Sequence, residues 1–200
     1  MLKTFPDLGQ MEIYLSSQIH GAFSVMDMEI LGVYVKELKT GDKYLEIGTD
    51  FGKSAASAIW QSPEGIKFYF CDIVDAVEQF LHPTRKLTRR EFFEQEGLDT
   101  IGEFILMDSK ELAKIWDKGE LAMIFVDGNH SYESVKVDIE LWWPHLKSDG
   151  WMLFHDYDDP TSPGVCRAVD ELKYSGQLIE FFTSQEKYEL KSSIAGGRKK

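Results

Sequence analysis

Two stretches of this 200-residue chain carry side chains whose types and spacing could do chemistry together. Phe125-Val126-Asp127-Gly128-Asn129-His130-Ser131-Tyr132 puts a carboxylate three residues before an imidazole, and Phe154-His155-Asp156-Tyr157-Asp158-Asp159 puts a second carboxylate beside another imidazole. If these stretches end neighbouring strands, Asp127 and Asp156, with His155 as a further donor, could share Mg2+ or another divalent cation, because hard cations take oxygen ligands. Such a cation would orient a hydroxyl group and lower its pKa. His130, with an ordinary pKa of about 6.5, is then a candidate base for the released proton. Each piece also has a plainer role: Asp-Gly is a common turn, His130 could cap a helix, and Asp158-Asp159 could be solvated loop charge. Adjacent strand residues point to opposite faces, so His155 need not share the direction of Asp156.

A third stretch, Tyr44-Leu45-Glu46-Ile47-Gly48-Thr49-Asp50-Phe51-Gly52-Lys53-Ser54, reads as a buried strand, a glycine-rich turn and the start of a helix. Glu46, Gly48, Thr49, Gly52 and Ser54 are its candidate cofactor contacts. Glycine at 48 and 52 lets the backbone turn sharply and approach a ligand, and Glu46 could face a cation or hydroxyls. The turn lacks the third glycine of a dinucleotide fingerprint, and Asp50 would set negative charge against a pyrophosphate. A cofactor with a cationic amino acid end, S-adenosylmethionine, suits the loop better than NAD; a tight turn without function is the plainer alternative. Asp72, ending the next strand, could accept hydrogen bonds from ribose hydroxyls or simply form a turn. Asp108 and Ser109, ending the third, could reach an adenine edge or begin a helix.

Two other matches carry less. Tyr132 and Lys136 imitate a dehydrogenase dyad, but the glycine-rich turn is wrong for it and the upstream serine is missing, position 119 being Gly. Asp156-x-Asp158 imitates a sugar-transferase metal motif and leaves the run from Glu46 to Gly52 unexplained. Trp142 and Trp143 read as core and interface aromatics.

The elements that must hold these residues follow from periodicity. Apolar residues from Phe23 to Leu38 recur at helical spacing, so residues 1–40 are read as a helical segment. Strands are expected at Tyr44–Gly48, Lys67–Cys71, Phe104–Met107, Leu121–Val126 and Trp151–Phe154. Helices are expected at Lys53–Trp60, around Arg89–Gln95, at Ser109–Trp116, Tyr132–Trp143 and Val165–Leu172. Two last apolar strands are expected near Gln177–Phe182 and Tyr188–Lys191. Alternation of this kind predicts an α/β fold: a mostly parallel seven-stranded sheet with helices on both faces and an antiparallel C-terminal strand. The chain is read as one domain with a core over 41–191 and a tail over 192–200.

A net charge of −12 disfavours nucleic acid and anionic membrane surfaces as partners. The basic islands Arg85–Arg90 and Arg198-Lys199-Lys200 read as a solvated face and a frayed end. No window approaches a membrane span, and no signal-peptide pattern opens the chain. Two cysteines, Cys71 and Cys166, make no disulfide framework, so a reducing cytoplasm is expected. The partner expected is a small-molecule substrate; a homo-oligomer is also open.

In combination, LEIGTDFGKSA, FVDGNHSYESVKVDIELWWPHLKSDGWMLFHDY and PGVCRAVDEL resemble the class I methyltransferases with a Rossmann-like fold, and among them methyltransferase family 24, related to sugar and macrolide O-methyltransferases. The resemblance spans most of Tyr44 to Leu172. It implies S-adenosylmethionine-dependent O-methylation of a small hydroxylated molecule, with Glu46, Gly48 and Gly52 around the methionine end, Asp72 on the ribose and Asp108 or Ser109 near adenine. It further implies metal ligation by Asp127 and Asp156, with His130 where relatives carry a basic residue. The chain departs from the pattern at Asp50 and at Ser148-Asp149-Gly150. Residues 75–100 and the N-terminal forty fall outside the resemblance and are expected to form a substrate lid. A non-catalytic scaffold on the same fold and an NAD-dependent oxidoreductase are the alternatives.

Overall fold

The computed structural model describes residues 2–74, 86–188 and 192–200. They run α1 (Leu8–Gln18), α2 (Val25–Val35), β1 (Lys43–Ile47), α3 (Lys53–Gln61), β2 (Lys67–Asp72), α4 (Arg89–Glu96), β3 (Gly102–Leu106), α5 (Ser109–Ile115), β4 (Leu121–Val126), α6 (Tyr132–Trp142), a 3-10 turn (Trp143–His145), β5 (Leu146–Phe154), α7 (Pro163–Tyr174), β6 (Leu178–Thr183), α8 (Ser184–Tyr188) and β7 (Ala195–Lys199). The strands form one seven-stranded sheet in the order β3-β2-β1-β4-β5-β7-β6. β1 to β5 pair in parallel, and β7 runs antiparallel to both β5 and β6. This is the Rossmann-like α/β architecture expected from the alternation of elements.

The chain winds outward from β1 through β2 to β3, then crosses back to place β4 on the other side of β1. Strand order reverses between β1 and β4, which opens a crevice beyond their carboxyl ends. Strands covered on both faces read as unbroken apolar runs, and all of β4, Leu-Ala-Met-Ile-Phe-Val, is buried. Alternation along β1 sends Tyr44 to the core under α1 to α4 and Leu45 and Ile47 to the core under α5 to α7. Glu46 shares the face of Tyr44 and is fully buried.

Local signals fix the helix starts. Ser24 and Asp27 form a capping box at α2, and Thr88 and Glu91 form one at α4. Gly52, at φ +85, lets the chain turn into α3. Phe92 and Phe93 then anchor α4 in the core. No helix among the described residues is long and apolar enough to cross a membrane.

The end of the chain departs from expectation. Residues 192–200 are not a tail: Ala195–Lys199 inserts as β7 between β5 and β6. Its sequence, Ala-Gly-Gly-Arg-Lys, has no apolar alternation to announce a strand. Glycine is required instead, because a Cβ at Gly196 would sit 2.5 Å from the Met152 carbonyl oxygen. Arg198 bonds Glu37 at 2.7 Å and Glu180 at 3.0 Å, and Lys199 donates to the carbonyls of Trp143 and Leu146 at 2.8 and 2.7 Å. The basic terminus is therefore a paired strand, not a frayed end. Tyr188 closes α8, and the rest of the strand expected over Tyr188–Lys191 lies outside the described residues.

Candidate active site

Two adjoining cavities open at the switch point. The larger, about 510 Å3, is walled by the ends of β1, β2 and β3 and the loop after β4, including Asp72, Asp108, Ser109, Asn129 and Asp138. The smaller, about 310 Å3, lies under the turn between α1 and α2, with Phe23, Thr49, Lys53, His130, His155 and Asp156 on its wall. Gly48, Asp50, Phe51, Asp127 and Gly128 line both and so mark their junction. Volumes of this size suit small ligands.

The β1 turn owes its shape to packing. Gly48 has φ +83, and a Cβ there would sit 2.1 Å from the Asp127 carbonyl oxygen. Its role is to let the turn lie against the loop after β4, since Asp127 N donates to Ile47 O at 2.8 Å. Glu46 does not reach either cavity. Tyr44 and Ser54 donate to its two oxygens at 2.9 and 2.8 Å, clamping β1 to α3, and burial pushes its carboxyl up to about 8. Thr49 Oγ1 is buried on the smaller cavity's wall without a protein partner. A hydroxyl in that condition is a place for a ligand's polar group.

Asp72 ends β2 with its carboxylate turned to the larger cavity. It accepts from the amides of Asp50 at 2.7 Å and Val74 at 2.9 Å, which holds it in place while leaving lone pairs for a ligand. Arg89 completes this corner, 3.9 Å from Asp72 and donating to the Asp50 carbonyl at 2.7 Å. At 5% exposure, Arg89 belongs to the site's support and not to a solvated basic face. Asp108 caps α5 through the Lys110 amide at 2.8 Å, and Ser109 gives its hydroxyl hydrogen to Asp138 at 2.5 Å.

Across the junction lies a cluster of acids and imidazoles. His130 Nε2 is 3.0 Å from Asp156 and 3.8 Å from Asp127, and ligand atoms of these three residues lie within 4.8 Å of one another. His155 Nδ1 is 3.3 Å from both carboxylates, and its Nε2 is 3.6 Å from Asp27 at the start of α2. The alternation that would separate His155 from Asp156 is broken because Asp156 adopts φ 57, turning the chain back at the strand end. His155 is almost fully buried; burial alone would lower its pKa, but the carboxylates of Asp127, Asp156 and Asp27 around it hold it well above the usual value. Against its own burial, Asp27 is held low by His155. His130 is raised by Asp127 and Asp156, and Ser162 Oγ lies 3.3 Å from its Nδ1.

A family model for a methyltransferase domain, methyltransferase family 24, matches residues 45–157. The chain belongs to that methyltransferase family. Among curated proteins, an uncharacterized protein, R132, of Acanthamoeba polyphaga mimivirus is 35% identical over 51 residues, which span 25% of this chain and 23% of that protein. Among solved structures, the SAH-bound methyltransferase PaMTH1 of Podospora anserina superposes with a TM-score of 0.70 at 15% identity, over 100% of this chain and 90% of that one. An O-methyltransferase from Bacillus cereus in complex with SAH superposes with a TM-score of 0.66 at 13% identity, over 100% and 93%. These two likenesses are of fold.

Within this methyltransferase domain, the structure brings Gly48, Asp72, Asp108, Ser109 and Asp127 to the larger cavity and Thr49, Ser54, His130, His155 and Asp156 to the smaller. Gly52 shapes the start of α3, where a Cβ would sit 2.8 Å from Phe93. Glu46 is set apart, behind β1. Sequence reasoning missed Arg89, Asp27 and Asp138. Arg89 sat in an apparent surface island, and only the following Phe92-Phe93 hinted at burial. Asp27 serves in the structure as part of the α2 capping box, and nothing in its local spacing marks it as a partner of His155.

Proposed function

We propose that the chain is an S-adenosylmethionine-dependent methyltransferase that methylates a hydroxyl of a small molecule. The observation that carries this reading is the pair of joined cavities, one with a ribose-type carboxylate, Asp72, and the other with the cluster of Asp127, His130 and Asp156. The residues of the larger cavity fit the cofactor, since Asp72 is held by two amides and keeps lone pairs free. When bound, the cofactor supplies a methyl group on a sulfonium. Asp72 would hold the ribose, and Asp108 with Ser109 the base end.

The oxygen-rich set of Asp127 and Asp156, with His130 beside them, fits a hard divalent cation. That cation, when bound, supplies charge to orient and acidify the acceptor hydroxyl. His155 is not a ligand in this proposal; as a buried imidazolium it neutralises Asp127 and Asp156 from behind. His130 is 44% exposed. It would take up the acceptor's proton at Nε2 after leaving Asp156, with Ser162 steadying the ring through Nδ1. Phe23 and Phe51 beside the smaller cavity would exclude water and help align the acceptor with the methyl group.

Asp50 at the junction speaks against a pyrophosphate and thus against NAD, and the unpartnered Thr49 speaks against a scaffold with no ligand. Free Cys71 and Cys166 suit a reducing cytoplasm. The test is calorimetric titration with S-adenosylmethionine and S-adenosylhomocysteine, alongside fluorescence titration with NADH. Binding of the first pair and not of NADH is expected. No heat from either methyl-cycle compound at millimolar concentration overturns the proposal.

A further inference from the structure

Resting on that reading, we infer that Asp50 is the residue that distinguishes the charged methyl donor from its spent product. A methyl group that leaves the larger cavity for an acceptor in the smaller one must cross where the two meet. The side chains and backbone common to both walls are those of Gly48, Asp50, Phe51, Asp127 and Gly128, and of these only Asp50 and Asp127 carry charge. Asp127 is engaged by His155 at 3.3 Å and faces His130 at 3.8 Å. The Asp50 carboxylate accepts from the Phe51 amide and is the other negative charge at the crossing.

The surroundings hold Asp50 at that point. Its backbone takes φ 46, a left-handed conformation that Asp tolerates better than most residues. Its amide donates to Asp72 and its carbonyl accepts from Arg89, both at 2.7 Å, so the main chain is pinned on two sides. The guanidinium is turned to the Asp50 carbonyl and the Asp72 carboxylate, and Asp72 and Asp127 add further negative charge around the junction. Arg89 offsets part of the Asp50 charge, but its guanidinium also bonds the Asp50 carbonyl and lies 3.9 Å from Asp72, so a sulfonium at the crossing still meets a carboxylate. Transfer leaves the S–C electron pair on sulfur, so the positive charge is gone in the product thioether. Asp50 binds the donor more tightly than the product, which favours release of the product. It stabilises the charged ground state more than a transition state in which that charge is dispersing, so its contribution is to affinity and turnover order and not to the chemical step.

The test compares Asp50→Asn with the parent by calorimetry, using S-adenosylmethionine, S-adenosylhomocysteine and sinefungin, a non-transferable analogue with an ammonium near the sulfonium position. Asn keeps the left-handed turn and removes only the charge. The parent should bind the two charged compounds more tightly than S-adenosylhomocysteine, and the variant should lose about fivefold of that preference while its S-adenosylhomocysteine affinity stays within twofold, the order expected of one partly solvated ion pair. Asp50→Gly, equally at ease at this φ, should behave the same way and controls for any disturbance by the amide. Equal weakening of all three compounds would assign Asp50 to the amino acid end they share and overturn the inference. An unchanged preference in both variants would overturn it as well. Failure of the parent to bind any of the three would instead remove the methyltransferase reading itself.

Discussion

Replacing Glu46 by glutamine tests whether the acid of the glycine-rich run is a ligand-facing carboxylate or a buried neutral clamp. Glu46 is fully buried, with its oxygens taken by Tyr44 and Ser54 at 2.9 and 2.8 Å, and its folded value lies at about 8 against an ordinary 4.5. A raised folded pKa means that stability from this group is complete below pH 4.5 and is lost as pH rises toward 8, where the unfolded chain has released a proton that the folded chain still holds. Each pH unit inside that window costs at most about 1.4 kcal/mol. Glutamine is neutral at every pH and can still accept from one hydroxyl and donate to the other. Urea unfolding of both proteins at pH 5, 6, 7 and 8 should show the variant gaining on the parent by about 2 to 4 kcal/mol across the series. His130, His155 and Asp27 titrate in both proteins and cancel in the difference. A difference that is flat with pH would show that Glu46 ionises as freely when folded as when unfolded, and the clamp would be wrong.

Gly48→Ala combines a positive φ with a Cβ set 2.1 Å from the Asp127 carbonyl oxygen, so it should cost at least about 2 kcal/mol and abolish cofactor binding; a stable variant with normal affinity would refute the tight junction. In metal-free protein, a 15N chemical-shift titration of His155 should show the imidazolium persisting as pH rises past the ordinary 6.5, because Asp127, Asp156 and Asp27 outweigh its burial; a midpoint at or below 6.5 would contradict the ion cluster. That raised value also means His155 contributes stability below its ordinary 6.5 that is lost as pH rises through the folded value. Asp127→Asn with Asp156→Asn should lower Mg2+ or Mn2+ affinity by at least tenfold, a loss of about 1.4 kcal/mol, by calorimetry while leaving S-adenosylhomocysteine affinity within a few fold; unchanged metal binding would take the cation out of the mechanism.

The parts of the fold legible in the sequence are those where burial writes a pattern. β4 is six apolar residues in a row because helices cover both its faces, and the apolar spacing after Phe23 marks α2 because that helix packs in the core. β7 was invisible because Gly196 and Gly197 are there to make room for β5 and β6, and glycine carries no periodicity. The site divides the same way. Asp72, Asp127 and Asp156 line the cavities as their positions suggested, because a carboxylate at a strand end in this topology faces the crevice. Glu46 misled because it stands one pleat earlier, where alternation turns the side chain beneath α3. The His155–Asp27 contact joins β5 to α2 and Arg89 joins α4 to the β1 turn; both are tertiary pairings between distant segments, for which no local spacing exists.

In the proposed arrangement a methyl donor occupies the larger cavity with its sulfur at the junction, and the acceptor lies beyond it. An experimental structure of the chain with S-adenosylhomocysteine tests this most directly. Ribose hydroxyls are expected on Asp72, the base beside Asp108 and Ser109, and the sulfur between Gly48, Asp50 and Asp127, open toward His130. Ligand density in the smaller cavity alone, or a sulfur turned away from Asp127 and His130, would contradict it.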